Sequence, residues 1–296
     1  MNKTFRGAFT VMITPCDGEG RVDFKALAEF TEWQVRQGIH GLIPLGSTGE
    51  FLSLSDEEKS DVAETVIKTA AGRVPVLVGA GAEDTREVVR LSRRAERLGA
   101  DGVMIIPPFY STPTEDELYR HYKTVADAIS IPIMIYNNPA TANVDLKPQL
   151  VARLASIEGC AYIKESTLEV TRVRDIIRLA GDRITVFGGI LGFESFVEGA
   201  QGWVAVASNV APAPLARLFE LVVDEGRVTD GHALYMKWLP IIEAVGGQRY
   251  VAASKSLLTH MGFAAGSPLP PRLPLPPSVE AEMKSLVADF DLRFAL

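Results

Sequence analysis

Residues 102–136 read GVMIIPPFYSTPTEDELYRHYKTVADAISIPIMIY. Two apolar runs, 102–106 and 131–136, flank a longer segment over 114–129 whose apolar residues follow helical spacing. Neither run alternates polar with apolar residues, as a strand with one wet face would. Strands buried on both faces and joined through a helix belong to a parallel sheet. The same unit repeats in both directions. Upstream, strands over 8–13, 41–45 and 75–79 alternate with helices over 23–37, 56–71 and 85–98. Downstream, strands over 160–165, 184–187 and 202–206 alternate with helices over 147–156, 169–180, 191–198 and 213–224. Helix 23–37 carries Phe24, Leu27, Phe30 and Val35 on its apolar side, and Ser55-Asp56-Glu57-Glu58 opens helix 56–71 as a capping box. Eight such units within residues 1–226 predict an α/β chain closed into a (β/α)8 barrel, not an open doubly wound sheet.

Beyond residue 226 the strand pattern stops. Helices are expected over 230–245 and 250–260 and from 278 onward, with a proline-rich stretch over 267–277 between them. Residues 227–296 therefore read as a helical annex to the barrel, and the prolines as a rigid strap laid across it rather than a ligand for another module.

Composition narrows the function classes. The chain has 296 residues, 47% hydrophobic and 23% charged, with a formal net charge of −7. An acidic balance argues against a nucleic-acid surface or an anionic membrane as partner. Met1-Asn2-Lys3-Thr4-Phe5-Arg6 leads into the first strand without the apolar core of a secretory leader, and no apolar run reaches a membrane span of roughly 20 residues. Two cysteines, Cys16 and Cys160, are too few for a disulfide framework and are expected as small buried residues. The expectation is a soluble cytoplasmic protein acting on a small molecule.

A barrel carries its chemistry at the carboxyl ends of its strands. Three segments stand there. In Ala161-Tyr162-Ile163-Lys164-Glu165-Ser166 a lysine ends a buried strand, where an ammonium is costly unless it is neutralised or compensated. A lysine held partly neutral is the usual nucleophile toward a ketone. Gly46-Ser47-Thr48-Gly49-Glu50 follows the second strand; its glycines allow a sharp turn presenting amides and hydroxyls to a small carboxylate. Tyr136 ends the fifth strand in Tyr136-Asn137-Asn138-Pro139, where its hydroxyl could relay protons. The four histidines, His40, His121, His232 and His260, are scattered among different units, so no metal site is expected.

Together with the early Thr14-Pro15, these segments resemble the dihydrodipicolinate synthase and N-acetylneuraminate lyase family over nearly the whole chain: G-[ST]-T-G-E, Y-N-x-P and the Ile163-Lys164-Glu165-Ser166 lysine motif all match. The resemblance implies a class I mechanism on pyruvate or a pyruvate-like 2-oxo acid, with a covalent imine on Lys164 and no added cofactor. It implies Tyr136 as proton relay, Ser47 and Thr48 as the carboxylate site, and a link from the Thr48 hydroxyl to Tyr136. It further implies that Tyr110 enters a neighbouring subunit's site, that the Val204 carbonyl borders the pocket, and that the assembly is a homotetramer of paired tight dimers.

The sequence departs from the synthases at one informative place. Their Y-N-x-P-x-R pattern carries an arginine for the carboxylate of aspartate semialdehyde, and here Thr141 stands at that position. Phe187-Gly188-Gly189-Ile190 likewise lacks the polar residues of many relatives. Losing a charge-assisted bond costs about 2–3 kcal/mol. The expected activity is therefore cleavage or dehydration of a 2-keto-3-deoxy or 4-hydroxy-2-oxo acid, with Thr141 facing a hydroxylated or neutral partner. The alternatives are the synthase proper, joining pyruvate to aspartate semialdehyde, and a non-catalytic barrel that only binds small acids.

Overall fold

The computed structural model describes residues 4–296; residues 1–3, part of the segment read as leading into the first strand, lie outside the described residues. Eight parallel strands form the barrel: β1 Gly7–Val11, β2 Gly41–Ile43, β3 Leu77–Gly79, β4 Gly102–Ile105, β5 Ile133–Asn137, β6 Cys160–Glu165, β7 Thr185–Gly188 and β8 Gly202–Ala205. The order β2-β1-β8-β7-β6-β5-β4-β3 is closed by a parallel bridge from Leu42 to Val76. Helices α1 Phe24–Arg36, α2 Asp56–Ala70, α3 Thr85–Leu98, α4 Glu115–Ala126, α5 Pro148–Leu154, α6 Thr171–Ala180, α7 Gly192–Val197 and α8 Pro212–Phe219 follow the strands in turn. The expected (β/α)8 barrel is present. The expected capping box at Ser55 is also formed, with Ser55 N–H donating to Glu58 and Glu58 N–H donating to Ser55 Oγ. The helix expected over 213–224 instead ends at Phe219 and continues as a π turn over Glu220–Asp224.

Alternation along each strand sorts side chains between two cores. Phe9, Tyr162 and Phe187 point into the barrel, where Phe9 and Phe187 pack edge to face at 5.3 Å and Phe5 lies 4.8 Å from Tyr162. These rings sit over glycines that open their strands. A Cβ on Gly41 would come within 2.4 Å of Phe9, and one on Gly202 within 2.1 Å of Phe187. Aromatic rings thus fill the lower barrel and leave room at the carboxyl end.

The annex consists of α9 Val228–Ala244, α10 Tyr250–His260 and α11 Pro277–Asp289. It shares the barrel's outer core: Phe263 stacks on Phe30 at 5.5 Å, and Phe294 lies 5.0 Å from Trp33. No helix among the described residues is long and apolar enough to cross a membrane. Cys16 and Cys160 are both free and buried, and burial pushes the Cys160 thiol up to about 12.

His121 is buried on α4, its Nδ1 2.9 Å from Thr85 Oγ1, and burial pushes its pKa down to about 4 from 6.5, with Glu83 partly opposing. As pH falls below 6.5 the unfolded chain takes up a proton that the folded chain refuses until about pH 4. Stability is therefore lost through that window, by about 3 kcal/mol from this residue. Urea titrations at neutral and mildly acidic pH should show a smaller acid loss in His121→Gln; an unchanged loss would assign the effect to other groups.

Candidate active site

At the carboxyl ends of the strands lies a cavity of about 560 Å³. Its floor is built by Ser47 and Thr48 after β2, Tyr136 of β5, Lys164 of β6 and Gly189 after β7. The loop after β5 adds Asn138 and Thr141, and Ser166 follows β6. The annex closes the outer side with Leu239, Ile242, Glu243, Gln248 and Tyr250.

Lys164 and Tyr136 are direct partners in the β5–β6 register. Both take the inward positions of their strands, and Lys164 Nζ lies 4.0 Å from the centroid of the Tyr136 ring. Lys164 is 5% exposed and forms no ion pair with any described residue. Its Nζ therefore stands between an aromatic face and an open cavity, with no carboxylate paired to it among the described residues.

The neighbouring Glu165 faces outward, behind the barrel wall. Asn137 Nδ2 donates to its Oε2 at 3.0 Å and Thr167 N–H to its Oε1 at 2.8 Å. Burial raises the Glu165 carboxyl above the usual range, against the pull of Asn137, Thr167 and Arg172. Asn137 Oδ1 also accepts from Leu146 N–H at 2.9 Å, and Asp145 is clamped by Arg172, whose guanidinium holds that carboxyl below the usual range. This network ties β5 and β6 to the far end of the loop that carries Thr141.

The turn after β2 is forced into shape. Leu45 and Glu50 both adopt left-handed backbone, with φ of 61° and 55°. Gly49 N–H donates to Gly46 O at 3.0 Å, which sets Ser47 and Thr48 at the turn's apex. Glu50, buried to 1% exposure, pairs with the equally buried Lys255 of α10 at 2.7 Å. It also accepts from Leu269 N–H at 2.6 Å, and Lys255 donates to Ser267 O at 3.0 Å. The final residue of G-S-T-G-E thus anchors the turn to α10 and to the proline-rich strap.

The structure brings together Lys164, Tyr136, Ser47, Thr48 and Thr141. It does not form the expected link from Thr48 to Tyr136: the hydrogen bond to Tyr136 Oη comes from Asn138 Nδ2 at 2.9 Å. Val204 is fully buried in the barrel interior, and the residues near the end of β8 that line the cavity are Trp203, Val206 and Ala207. Tyr110 is 85% exposed and does not line the cavity of its own chain. Thr141 donates to Asn138 O at 3.3 Å.

Asn138 and Ser166 stand within the matching motifs without an assigned site role, and the annex residues carry no sequence signal. Asn138 occupies the unspecified position of Y-N-x-P, so the motif gives it no signal. Asn138 Oδ1 and Ser166 Oγ are buried without a hydrogen-bond partner among the described residues, and both residues line the cavity. Gly189 makes room for Ser166, because a Cβ there would lie 1.7 Å from Ser166 Oγ. Among the described residues no three His, Cys, Asp or Glu side chains gather to hold a metal.

Comparison with known proteins agrees with this geometry. The profile of the Dihydrodipicolinate synthetase family matches residues 4–290. A Nitrobacter hamburgensis protein named 4-hydroxy-tetrahydrodipicolinate synthase is 39% identical over 281 residues, covering 92% of this chain and 92% of that protein. The Acinetobacter baumannii dihydrodipicolinate synthase, solved in complex with pyruvate, superposes with a TM-score of 0.94 at 30% identity, covering 98% of this chain and 100% of that one. A monomeric dihydrodipicolinate synthase variant superposes at 0.93 with 27% identity over 97% of each chain.

Proposed function

This chain belongs to the dihydrodipicolinate synthetase family of pyruvate-dependent lyases and synthases, and from that premise we propose a Schiff-base enzyme in which Lys164 binds pyruvate or a pyruvate-like 2-oxo acid. The observation that carries this reading is the buried, unpaired Lys164 beside Tyr136 at the floor of a cavity.

The Lys164 amine adds to the C2 carbonyl of the 2-oxo acid. The added amine nitrogen passes one proton to the C2 oxygen, giving a carbinolamine, and Tyr136 gives the second; the oxygen leaves as water, and an iminium and the Tyr136 phenolate remain. The Tyr136 phenolate then takes a proton from C3. The C3–H electron pair forms C2=C3 and returns the iminium pair to nitrogen. The enamine attacks an aldehyde carbon, and the new alkoxide takes the proton back from Tyr136; cleavage is the same sequence reversed. Ser47 and Thr48, with the amides of their turn, hold the substrate carboxylate.

For the second substrate two readings compete. The relatives' names favour the synthase reaction with aspartate semialdehyde. The cavity lining favours a partner without a carboxylate: Lys164 is the one basic side chain among the lining residues, and Thr141, Ile190, Leu191 and Ile242 line it as well. We therefore favour a 2-keto-3-deoxy or 4-hydroxy-2-oxo acid as the molecule cleaved or dehydrated. A panel pairing pyruvate with neutral hydroxyaldehydes, glyoxylate and aspartate semialdehyde, and offering 2-keto-3-deoxy acids for cleavage, separates the two. Aspartate semialdehyde should react with a kcat/KM roughly a hundredfold below that of a synthase carrying the arginine, for one missing contact of about 3 kcal/mol. Thr141→Arg should recover part of that. Efficient condensation with aspartate semialdehyde by the parent protein would replace this reading with the synthase.

We also expect a homotetramer of tight dimers, with Tyr110, which is 85% exposed and outside the cavity of its own chain, completing a neighbour's relay. We place the enzyme in the cytoplasm, a reading its two free, buried cysteines support.

A further inference from the structure

We propose that Asn138 is the positioning residue that aims the Tyr136 hydroxyl at the substrate, an inference that rests on the relay role proposed above. A phenol oxygen has one hydrogen to give and acceptor positions to fill, so its partner decides where the hydrogen points. That partner is Asn138 Nδ2, at 2.9 Å. An amide nitrogen only donates. It fills an acceptor position on Tyr136 Oη and cannot take the phenol's hydrogen, which is left to point into the cavity. A threonine hydroxyl in the same place could either donate or accept, and would leave that direction open.

The backbone explains why Asn138 reaches this position. Successive residues at the end of β5 point to opposite sides. Tyr136 faces inward beside Lys164, Asn137 faces outward to Glu165 and Leu146, and Asn138 lines the cavity again. The two adjacent asparagines therefore hold different things, one the wall of the barrel and the other the phenol. The Asn138 carbonyl accepts from the N–H groups of Thr141 and Ala142, each at 3.0 Å, so its side chain starts from a fixed point. Its Oδ1 is buried without a partner. The contact to Tyr136 is the one hydrogen bond this amide makes with its side chain among the described residues, so the amide serves the phenol and not the surrounding fold.

The test uses deuterium exchange at C3 of pyruvate, followed by NMR in D₂O. This exchange needs the imine and the Tyr136 proton transfer but no second substrate. Asn138→Val keeps the side chain's bulk and removes the donor; it should slow exchange by about 10- to 100-fold. The KM for pyruvate should stay within about twofold, because the carboxylate site is untouched. In a Tyr136→Phe background, Asn138→Val should add no further loss, since its effect passes through the hydroxyl already removed. Exchange at the parent rate in Asn138→Val, or a full additional loss in the Tyr136→Phe background, would overturn the assignment. Failure of the parent protein to trap pyruvate with borohydride would instead overturn the Schiff-base reading beneath it.

Discussion

Lys164→Ala should lower kcat/KM by about 10⁴-fold or more, the scale seen when the nucleophile of a covalent mechanism is removed. No other amine lines the cavity, so no lining residue can form the imine in its place. Folding should survive. The backbone pairing of β6 with β5 and β7 does not use the lysine side chain, and its amine is tied into no ion pair. Lys164→Arg is an informative companion, because it keeps a cation but presents a guanidinium that stays protonated. Both variants should be equally inactive. Residual activity in Lys164→Arg well above that of Lys164→Ala would mean that charge, and not amine chemistry, is what position 164 contributes.

Lys255→Met should destabilise the protein by about 3–5 kcal/mol, because it strands a buried carboxylate without its partner. The lost contacts are the 2.7 Å pair to Glu50 and the 3.0 Å bond to Ser267 O, both removed from water. Glu50→Gln together with Lys255→Met should recover much of that loss, since the buried charge is then gone. The kinetic consequence reports on function. Glu50 ends the turn that presents Ser47 and Thr48, so Lys255→Met should raise the KM for pyruvate more than it lowers kcat. Urea denaturation of the single and double variants measures the first effect. Equal stability of Lys255→Met and the parent would show that Glu50 finds compensation elsewhere.

The repeat of apolar strand and helix was legible because every strand is buried on both faces, which writes a continuous apolar run into residues such as 102–106. The pairing of Lys164 with Tyr136 was legible as two motifs, although their adjacency depends on the β5–β6 register, which no local pattern states. Glu50 was visible but unexplained. Its partners, Lys255 and the amide of Leu269, belong to the annex, and nothing around Glu50 points so far along the chain. The annex reads as an appendage because the strand pattern stops at residue 226, yet Glu243, Gln248 and Tyr250 line the cavity. The Thr48–Tyr136 link came from resemblance; in the structure the hydrogen bond to Tyr136 Oη comes from Asn138, which the motif leaves unspecified.

The Schiff base itself is tested most directly by reductive trapping. The protein is incubated with pyruvate and borohydride, digested, and its peptides weighed. The account predicts irreversible inactivation that needs both reagents, a single reduced pyruvyl adduct on the peptide containing Lys164, no effect of EDTA, and no adduct in Lys164→Ala. An active enzyme that neither traps pyruvate nor is inactivated by borohydride, and that loses its activity to EDTA, would contradict the account and point to a metal-dependent reaction.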